Sequence, residues 1–208
     1  EAHIRAEIAA HFPEHGIFGE EEKGDDPTTG WTWIIDPIDG TQNYAWGIPC
    51  FSTVIAVAKD GEVVMGVNFD PINKEMFHAA RGQGAFLNEQ KIQVSDVPQF
   101  EDVIMVTDPA YGPASGTIDT LQMLRKIWPS LKTARMIGSS ALSISYVAAG
   151  RMDIFVHHRL QPYDQAAGMI LIEEAGGLIT DSHGNRAELY SDGLIAASST
   201  IHQGFMEK

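Results

Sequence analysis

Two carboxylates in a short, rigid segment are the first residues that could do chemistry. Residues 36–41 read Asp-Pro-Ile-Asp-Gly-Thr and follow an apolar run. The proline fixes its own φ angle, so Asp36 and Asp39 are expected on one side of a turn. Gly40 lets the backbone approach a ligand closely. Thr41 adds a hydroxyl at the predicted start of a helical turn, whose free N–H groups attract anions. Carboxylates beside such amides can hold a metal-bridged phosphate.

Further carboxylates lie far away in the sequence. Glu20 precedes a polar loop, and Asp164 stands at the predicted start of a helix. Each has an ordinary interpretation, since Glu20 can belong to a solvated acidic loop and Asp164 can be a helix N-cap. Their occurrence in this order with Asp36 and Asp39 favours a divalent-cation site instead. An all-oxygen ligand set suits Mg²⁺.

These residues must be positioned by the elements that the apolar pattern predicts. Strands come first, and then strands alternate with helices, which is typical of an α+β unit followed by an α/β unit. The break at residues 97–99, Val-Pro-Gln, is the predicted boundary between domains of residues 1–98 and 99–208. The predicted strands are residues 31–35, 52–58, 63–69, 75–79, 84–87, 103–106, 134–137, 152–156, 178–180 and 194–197. The predicted helices are residues 1–12, closed by His15 and Gly16, 117–128, 139–149, 164–175 and a short terminal helix.

The composition argues against several classes of function. The 208 residues carry a formal net charge of −14 and no cluster of Lys and Arg, so nucleic acid is not an expected partner. They contain no run of about eighteen apolar residues and no signal-peptide pattern, so a membrane is not expected either. The single cysteine, Cys50, fits a reducing, cytoplasmic location. The expected partner is a small molecule.

Three segments resemble the inositol monophosphatase family, which belongs to a superfamily of Mg²⁺-dependent, Li⁺-sensitive phosphatases. They are residues 19–21 (Gly-Glu-Glu), 36–44 (Asp-Pro-Ile-Asp-Gly-Thr-Gln-Asn-Tyr) and 162–168 (Pro-Tyr-Asp-Gln-Ala-Ala-Gly). Residues 135–141 also look like the loop and helix start of that family's second domain. The resemblance implies a layered α-β-α-β-α sandwich, the sugar phosphatase fold, with the active site between its two halves. It also implies a homodimer.

The resemblance assigns metal ligands. Glu20, Asp36 and the backbone carbonyl of Ile38 would hold one Mg²⁺. Asp36, Asp39 and Asp164 would hold a second, and Glu20 would share a third, weaker ion. Glu20 and Asp36 would therefore be catalytic as well as metal-binding residues.

The resemblance also assigns contacts to phosphate, water and substrate. Gly40 and Thr41 would bind the phosphate through backbone N–H groups. The Thr41 hydroxyl would orient the attacking water together with Glu20. Gly138 and Ser139 would line the site of the substrate's organic half.

The implied activity is Mg²⁺-dependent hydrolysis of a phosphomonoester by direct attack of water, without a covalent phospho-enzyme. Inositol-1-phosphate or a similar sugar or polyol phosphate is the first substrate class. Histidinol phosphate stays open, as does a nucleotide such as the 2′-phosphate of NADP or the 3′-phosphate of an adenosine bisphosphate. A non-catalytic relative that binds other proteins also stays open, although the sequence shows no clear basic or apolar patch for that role.

Three features depart from the family pattern. Tyr163 stands where the family usually has Trp. His157 lies seven positions before Asp164, where inositol-selective members carry an acid, and it either contacts the substrate or is a partly exposed strand residue. Because an imidazole does not accept a hydroxyl hydrogen bond as a carboxylate does, a more anionic substrate or another polyol stays open beside myo-inositol phosphate. Ile4 and Ile8 recur at helical spacing, so the chain is expected to begin inside a helix, with the family's N-terminal helical segment preceding it.

Overall fold

Two sheets and the helices packed on them form the protein, as seen in a computed structural model that describes residues 1–109 and 115–208. The helices are α1 Ala2–His11, α2 Thr41–Ala45, α3 Ser115–Ile127, α4 Ser140–Ala148, α5 Pro162–Glu174 and α6 Ser199–Met206. The strands are β1 Gly16–Gly19, β2 Trp31–Asp39, β3 Ser52–Lys59, β4 Glu62–Asp70, β5 Glu75–Ala80, β6 Gly84–Leu87, β7 Gln90–Ile92, β8 Ile104–Val106, β9 Thr133–Arg135, β10 Ile154–His157, β11 Leu178–Thr180 and β12 Leu194–Ala197. Short 3-10 helices cover Phe100–Asp102 and Trp128–Ser130.

The first sheet contains seven strands in sequential order, β1 to β7. β1 and β2 are parallel, and every later neighbouring pair is antiparallel. Gly19 lies opposite Ile35, and the N–H of Glu20 donates to the Ile35 carbonyl over 3.1 Å. Glu20 and Asp36 therefore leave the sheet at the same edge.

The end of β2 differs from the predicted turn. β2 does not stop before Asp36 but continues to Asp39. Asp36 lies opposite Val54, whereas Asp39 lies opposite Ser52. One extra residue is therefore inserted in β2, as in a β-bulge. Because alternate residues of a regular strand point to opposite faces, aspartates three positions apart would diverge without it. The bulge brings Asp36 and Asp39 to the same side, a role that the sequence analysis assigned to a rigid turn at Pro37.

The second sheet and the helices complete the layers. Its strand order is β11-β12-β10-β8-β9, with β10, β8 and β9 parallel. α4 contacts strands of both sheets, and α5 packs on β2 to β6 and on β11. On the opposite face of the second sheet, Leu124 and Ile127 of α3 and Ile201 of α6 join a separate apolar cluster. α1 reaches the first sheet through Phe12, whose ring centroid lies 5.2 Å from that of Trp33. The predicted α-β-α-β-α sandwich is confirmed.

Glycines allow α5 to approach its neighbours closely. A Cβ added to Gly66 of β4 would lie 2.7 Å from the Cα of Ala167, and one added to Gly168 would lie 2.5 Å from a side-chain carbon of Ile144 in α4. Such close backbone packing holds α5 rigidly between the sheets. The N-terminus of α5, which carries Asp164, is thereby fixed against the first sheet.

Most predicted elements occur near their predicted positions, and the exceptions are local. The first helix ends at His11, and Gly16 opens β1 instead of closing a helix. α5 begins at Pro162, two residues before Asp164. The division into domains at residues 97–99 stays a prediction: the first sheet ends at Ile92, but α5 packs on both sheets. Across the part of the chain that the structure describes, no helix combines the length and apolarity needed to cross a membrane.

Candidate active site

A cavity of about 470 Å³ opens where strand ends from both sheets meet the N-termini of α4 and α5. Its wall combines residues from distant parts of the chain, which are Glu20, Asp36, Ile38, Asp39, Gly40, Thr41, Gln42, Asp108, Gly138, Ser140, His157, Arg159, Leu160, Gln161, Tyr163 and Asp164. A small phosphate ester fits within this volume.

Three aspartates converge in this cavity. One carboxylate oxygen from each of Asp36, Asp39 and Asp164 lies within 4.8 Å of the other two. Asp36 and Asp39 are only 2% and 6% exposed. Glu20 lies on the same wall but outside this tight group. The structure thus brings together the four acidic residues that the sequence singled out, three of them in contact range of one ion.

The carboxylates raise one another's pKa because they are buried close together. Burial, and then the charges of Asp39, Glu20 and Asp164, raise the pKa of Asp36 to about 9. Burial raises the pKa of Asp39 to about 7, although a hydrogen bond from Ser139 opposes this rise. Burial also raises the pKa of Asp164 to about 6. Buried like charges of this kind need a cation or protons to balance them.

Asp39 is oriented by the start of α4. The Ser139 hydroxyl donates a hydrogen bond to Asp39 Oδ2, and the N–H of Ala141 donates to the same oxygen over 3.1 Å. Ser139 also caps α4, because its Oγ accepts the N–H of Leu142. Ser139 is 1% exposed and lies behind Asp39, whereas its neighbour Ser140 lines the cavity. The structure therefore places Ser139 against a candidate metal ligand and not on the wall predicted to contact substrate.

Asp164 serves the helix and the cavity together. It is the third residue of α5 and not the N-cap, which is Gln161. Asp164 Oδ2 accepts the N–H of Gln161 over 2.8 Å, as in a capping box. Asp164 can therefore stabilise the start of α5 and also bind a metal ion, because a carboxylate has more lone pairs than this one hydrogen bond uses.

The segment after Asp36 is held by short local contacts. Asp36 Oδ1 accepts the N–H of Ile38 over 3.0 Å, and the Thr41 hydroxyl donates to the Ile38 carbonyl over 3.1 Å. Gly40 has a φ of 86° and immediately precedes α2, which begins at Thr41 as predicted. A Cβ at Gly40 would lie 3.0 Å from the Cys50 carbonyl oxygen. Only glycine fits this position without strain.

Asn43 joins the two halves of the site. Its buried side-chain amide donates to the carbonyls of Cys50, over 2.8 Å, and Ile137, over 2.7 Å. Gly138 has a φ of 73°, and a Cβ there would lie 2.9 Å from Asn43 Nδ2. The N–H of Gly138 donates to Asp108 Oδ1 over 3.0 Å. This chain of contacts fixes the loop before α4 at the cavity wall.

His157 lies at the end of β10 and is 6% exposed, not partly exposed as one sequence interpretation held. Its Nδ1 accepts the N–H of Arg159 over 3.1 Å, so its proton resides on Nε2 in the neutral form. Burial, and then the neighbouring His158, lower the pKa of His157 to about 4. His157 is therefore neutral at pH 7.

The sequence interpretation missed Asp108 and Arg159, and it quoted Asn43 without a role. Asp108 and Arg159 line the cavity. The position of Asp108 just beyond a predicted strand was the available signal, because polar residues at the C-terminal ends of parallel strands often form sites. Nothing in the local sequence marks Arg159.

The donor set fits a divalent cation such as Mg²⁺. Asp36 and Asp39, which are buried, and Asp164, which is half-buried, offer oxygens from three mutually repelling carboxylates. The Ile38 carbonyl and Glu20 add further oxygens on the same wall. Hard cations prefer such all-oxygen sites.

The fold and this site together agree with one class of proteins. Residues 1–208 match the model of the inositol monophosphatase family, and the chain belongs to that family. Its relatives include a fructose-1,6-bisphosphatase/inositol-1-monophosphatase of Thermotoga maritima. That protein is 39% identical over 200 residues, which cover 94% of this chain and 73% of the relative.

Other relatives carry a different name. The Nus factor SuhB of Pasteurella multocida is 34% identical over 204 residues, covering 97% of this chain and 76% of that protein. The crystal structure of the extragenic suppressor protein suhB from Bartonella henselae matches with a TM-score of 0.92 and 36% identity, covering 98% of this chain and 79% of that one. The chain is thus similar both to proteins named as phosphatases and to proteins named otherwise.

Proposed function

We propose that this chain is a Mg²⁺-dependent phosphomonoesterase acting on a small sugar or polyol phosphate such as inositol-1-phosphate. The observation that carries the proposal is the group of three aspartate oxygens within 4.8 Å of one another, inside a cavity of about 470 Å³. Buried carboxylates destabilise a fold unless they serve a ligand. A divalent cation beside a phosphate-sized space is the ligand that their geometry fits.

Asp36, Asp39 and Asp164 would hold the ions, with Glu20 and the Ile38 carbonyl completing the set. When bound, Mg²⁺ supplies charge to the phosphoryl oxygens and lowers the pKa of water. Two or three ions agree with the number of oxygens on this wall. The charges of Asp39, Glu20 and Asp164 each raise the pKa of Asp36. Asp36 is therefore near both Glu20 and the other aspartates, which makes it the candidate ligand to be shared between ions.

The remaining residues orient the reactants. The Thr41 hydroxyl donates its proton to the Ile38 carbonyl, so its oxygen is left to accept a hydrogen bond from a water molecule. Glu20 lies on the same wall and would take the proton of that water. The N–H groups at Gly40 and Thr41 would donate to the phosphate. Water would attack phosphorus directly while one of its protons passes to Glu20, the bond from phosphorus to the ester oxygen would break, and the leaving oxygen would take a proton from a solvent water molecule.

Phosphate release from myo-inositol 1-phosphate, measured with Mg²⁺ and with EDTA, tests the proposal. Asp164→Asn removes a metal ligand but keeps an oxygen for the Gln161 amide, so it should fold and lose at least about a hundredfold in kcat/KM. Asp181→Asn is the matched control, because Asp181 is a half-buried aspartate outside the cavity lining that accepts backbone N–H groups of a turn. Activity that persists in EDTA, or equally in Asp164→Asn, would refute the proposal.

The substrate within this class is a finer part of the proposal. The same assay should include histidinol phosphate, NADP and adenosine 3′,5′-bisphosphate, with inositol-1-phosphate giving the highest kcat/KM. Inhibition by Li⁺, a homodimeric state and a cytoplasmic location are proposed by similarity to the family. Activity at rising Li⁺ and light scattering of the purified chain check the first two, and fractionation of its host cells checks the third.

A second candidate function rests on the relatives named SuhB, which are 34% to 36% identical to this chain. Such a role would be a protein-binding one that does not need the carboxylates. It predicts that Asp164→Asn retains the cellular function of the wild type while losing hydrolysis. Loss of both would favour the enzyme.

A further inference from the structure

Tyr163 brings a phenol hydroxyl to the cavity wall that the proposed function does not use. Tyr163 lines the cavity and is half-buried. Its hydroxyl makes no hydrogen bond with any residue that the structure describes, and it keeps accessible surface, unlike an enclosed atom such as Ser52 Oγ. The hydroxyl of a partly buried tyrosine usually finds a partner. An accessible hydrogen-bond donor is therefore left over at this site.

Ring packing fixes where this hydroxyl lies. The Tyr163 ring stacks on the ring of Phe18 in β1, with centroids 6.2 Å apart and planes at 24°. Glu20 follows Phe18 by two positions, and its N–H continues the pairing of β1 with β2 by donating to the Ile35 carbonyl. Because alternate residues of a strand share a face, the Glu20 side chain leaves β1 on the face where Tyr163 packs. The phenol is therefore a neighbour of Glu20.

The charges around the phenol agree with this placement. Burial raises the pKa of Tyr163 to about 12, and the charges of Asp164, Glu20 and Asp36 add to the rise. The hydroxyl therefore lies close enough to feel all three carboxylates, and it keeps its proton at pH 7. An un-ionised phenol donates one hydrogen bond, and a charged acceptor makes that bond a strong one.

Among these three carboxylates, Glu20 has the fewest groups to orient it. Asp36 accepts the N–H of Ile38 over 3.0 Å, and Asp164 accepts the N–H of Gln161 over 2.8 Å. Glu20 is exposed and lies within hydrogen-bonding range of Asp36, but no backbone N–H that the structure describes donates to its side chain. A long exposed side chain of this kind samples several rotamers, and its carboxylate has lone pairs left for a further donor.

We propose that the Tyr163 hydroxyl donates a hydrogen bond to the Glu20 carboxylate and thereby positions it for the attacking water. Tyr163 is a positioning residue, because it acts through Glu20 and not on the phosphate. The inference rests on the proposed function, in which Glu20 takes a proton from water and adds an oxygen to those around the ions. Removing such an outer partner of a metal ligand typically costs about tenfold to a hundredfold in metal affinity or activity.

Tyr163→Phe tests this role, because it removes the hydroxyl and keeps the ring on Phe18. At saturating Mg²⁺ it should lower kcat for myo-inositol 1-phosphate about tenfold and leave KM within about twofold. Calorimetric titration with Mg²⁺ alone should show binding weakened about tenfold. Tyr190→Phe is the matched control, since Tyr190 is 58% exposed and lies outside the cavity lining.

A double-mutant cycle on the Mg²⁺ affinity separates positioning from packing. In a Glu20→Ala background, Tyr163→Phe should change this affinity by less than about twofold, because the acceptor is already gone. Equal losses in both backgrounds would overturn the proposal, as would a lower melting temperature with unchanged kcat and Mg²⁺ affinity. A rise in KM with kcat unchanged would also overturn it, because the hydroxyl would then contact the substrate.

Failure of the proposed function can be told apart from failure of this role. If the wild type hydrolyses no ester, the proposed function fails, but the cycle on Mg²⁺ affinity still decides whether Tyr163 acts through Glu20. A wild type that binds no Mg²⁺ would overturn both.

Discussion

Replacing Asp36 with Asn should stabilise the metal-free protein while abolishing hydrolysis. The carboxyl of Asp36 is 2% exposed and has a pKa of about 9 in the folded chain, against about 4 in an unfolded chain. Between about pH 4 and about pH 9 the Asp36 carboxyl therefore keeps its proton in the folded state and releases it in the unfolded state. A carboxyl whose pKa is raised by folding contributes its full stability below about pH 4 and loses that contribution as the pH rises.

The size of the effect follows from this difference in pKa. The interval from about pH 4 to pH 7.5 spans about 3.5 pH units. At about 1.4 kcal/mol per unit, the free energy of unfolding of the metal-free wild type falls by about 5 kcal/mol over this interval. Asn carries no charge, yet its Oδ1 still accepts the N–H of Ile38 that Asp36 accepts over 3.0 Å. The variant should therefore melt up to about 15 °C above the wild type in EDTA at pH 7.5, and by much less at pH 5.

Added Mg²⁺ should narrow the difference at pH 7.5. An ion that binds the folded wild type at about a hundredfold excess over its Kd adds about 2.7 kcal/mol, which offsets roughly half of the about 5 kcal/mol advantage of the variant. Melting curves in EDTA and in Mg²⁺, at pH 5 and 7.5, measure both effects, with Glu101→Gln as an exposed carboxylate control. A variant that is less stable than the wild type in EDTA at pH 7.5, or a difference independent of pH, would refute the reasoning.

Three further substitutions probe the supports of the site. Ser139→Ala removes the N-cap of α4 and the hydrogen bond to Asp39, so unfolding in urea should show a loss of about 1 kcal/mol. The Mg²⁺ concentration for half-maximal activity should also rise, and an unchanged value would argue against the link to Asp39. Asn43→Ala leaves two buried carbonyls without donors, which should cost about 1 to 3 kcal/mol in the same urea assay; no loss would show that water replaces the amide. Gly66→Ala places a Cβ 2.7 Å from a backbone atom of α5 and should cost about 1 to 3 kcal/mol in thermal unfolding. Gly204→Ala, whose added Cβ would meet a side-chain carbon of Phe100 at 3.1 Å and no backbone atom among its nearest neighbours, should cost less, and equal losses would exclude the backbone clash as the cause.

The sequence predicted the parts of the site that depend on local order. Residues 31–35 are aromatic and β-branched and form the strand that delivers Asp36. Gly40 and Thr41 begin a helical turn because glycine adopts the positive φ found there. The layered fold followed from resemblance over most of the chain, and the sequence of strands and helices agreed with it.

The rest of the site depends on contacts between residues that are far apart in the sequence. The bulge in β2 exists only in the register with β3, where Asp39 lies opposite Ser52, and register cannot be read from one strand. The contact of Ser139 with Asp39 joins residues 100 positions apart. Asp108 reaches the cavity because β8 and β10 are neighbours. Local patterns carry no signal for the bulge or for the contact of Ser139 with Asp39, and for Asp108 they give only its position just beyond a predicted strand.

The extra residue in β2 sets a limit on how this motif can vary. A chain with one residue deleted between Asp36 and Asp39 would keep every acidic residue in order, yet the strand would regain its regular alternation and the two would point apart. A sequence alignment with a gap between these two aspartates would group such chains with the metal-binding relatives, although the shortened chains could not bind an ion there. The number of residues between Asp36 and Asp39 therefore identifies a metal-binding motif as much as the residue types do.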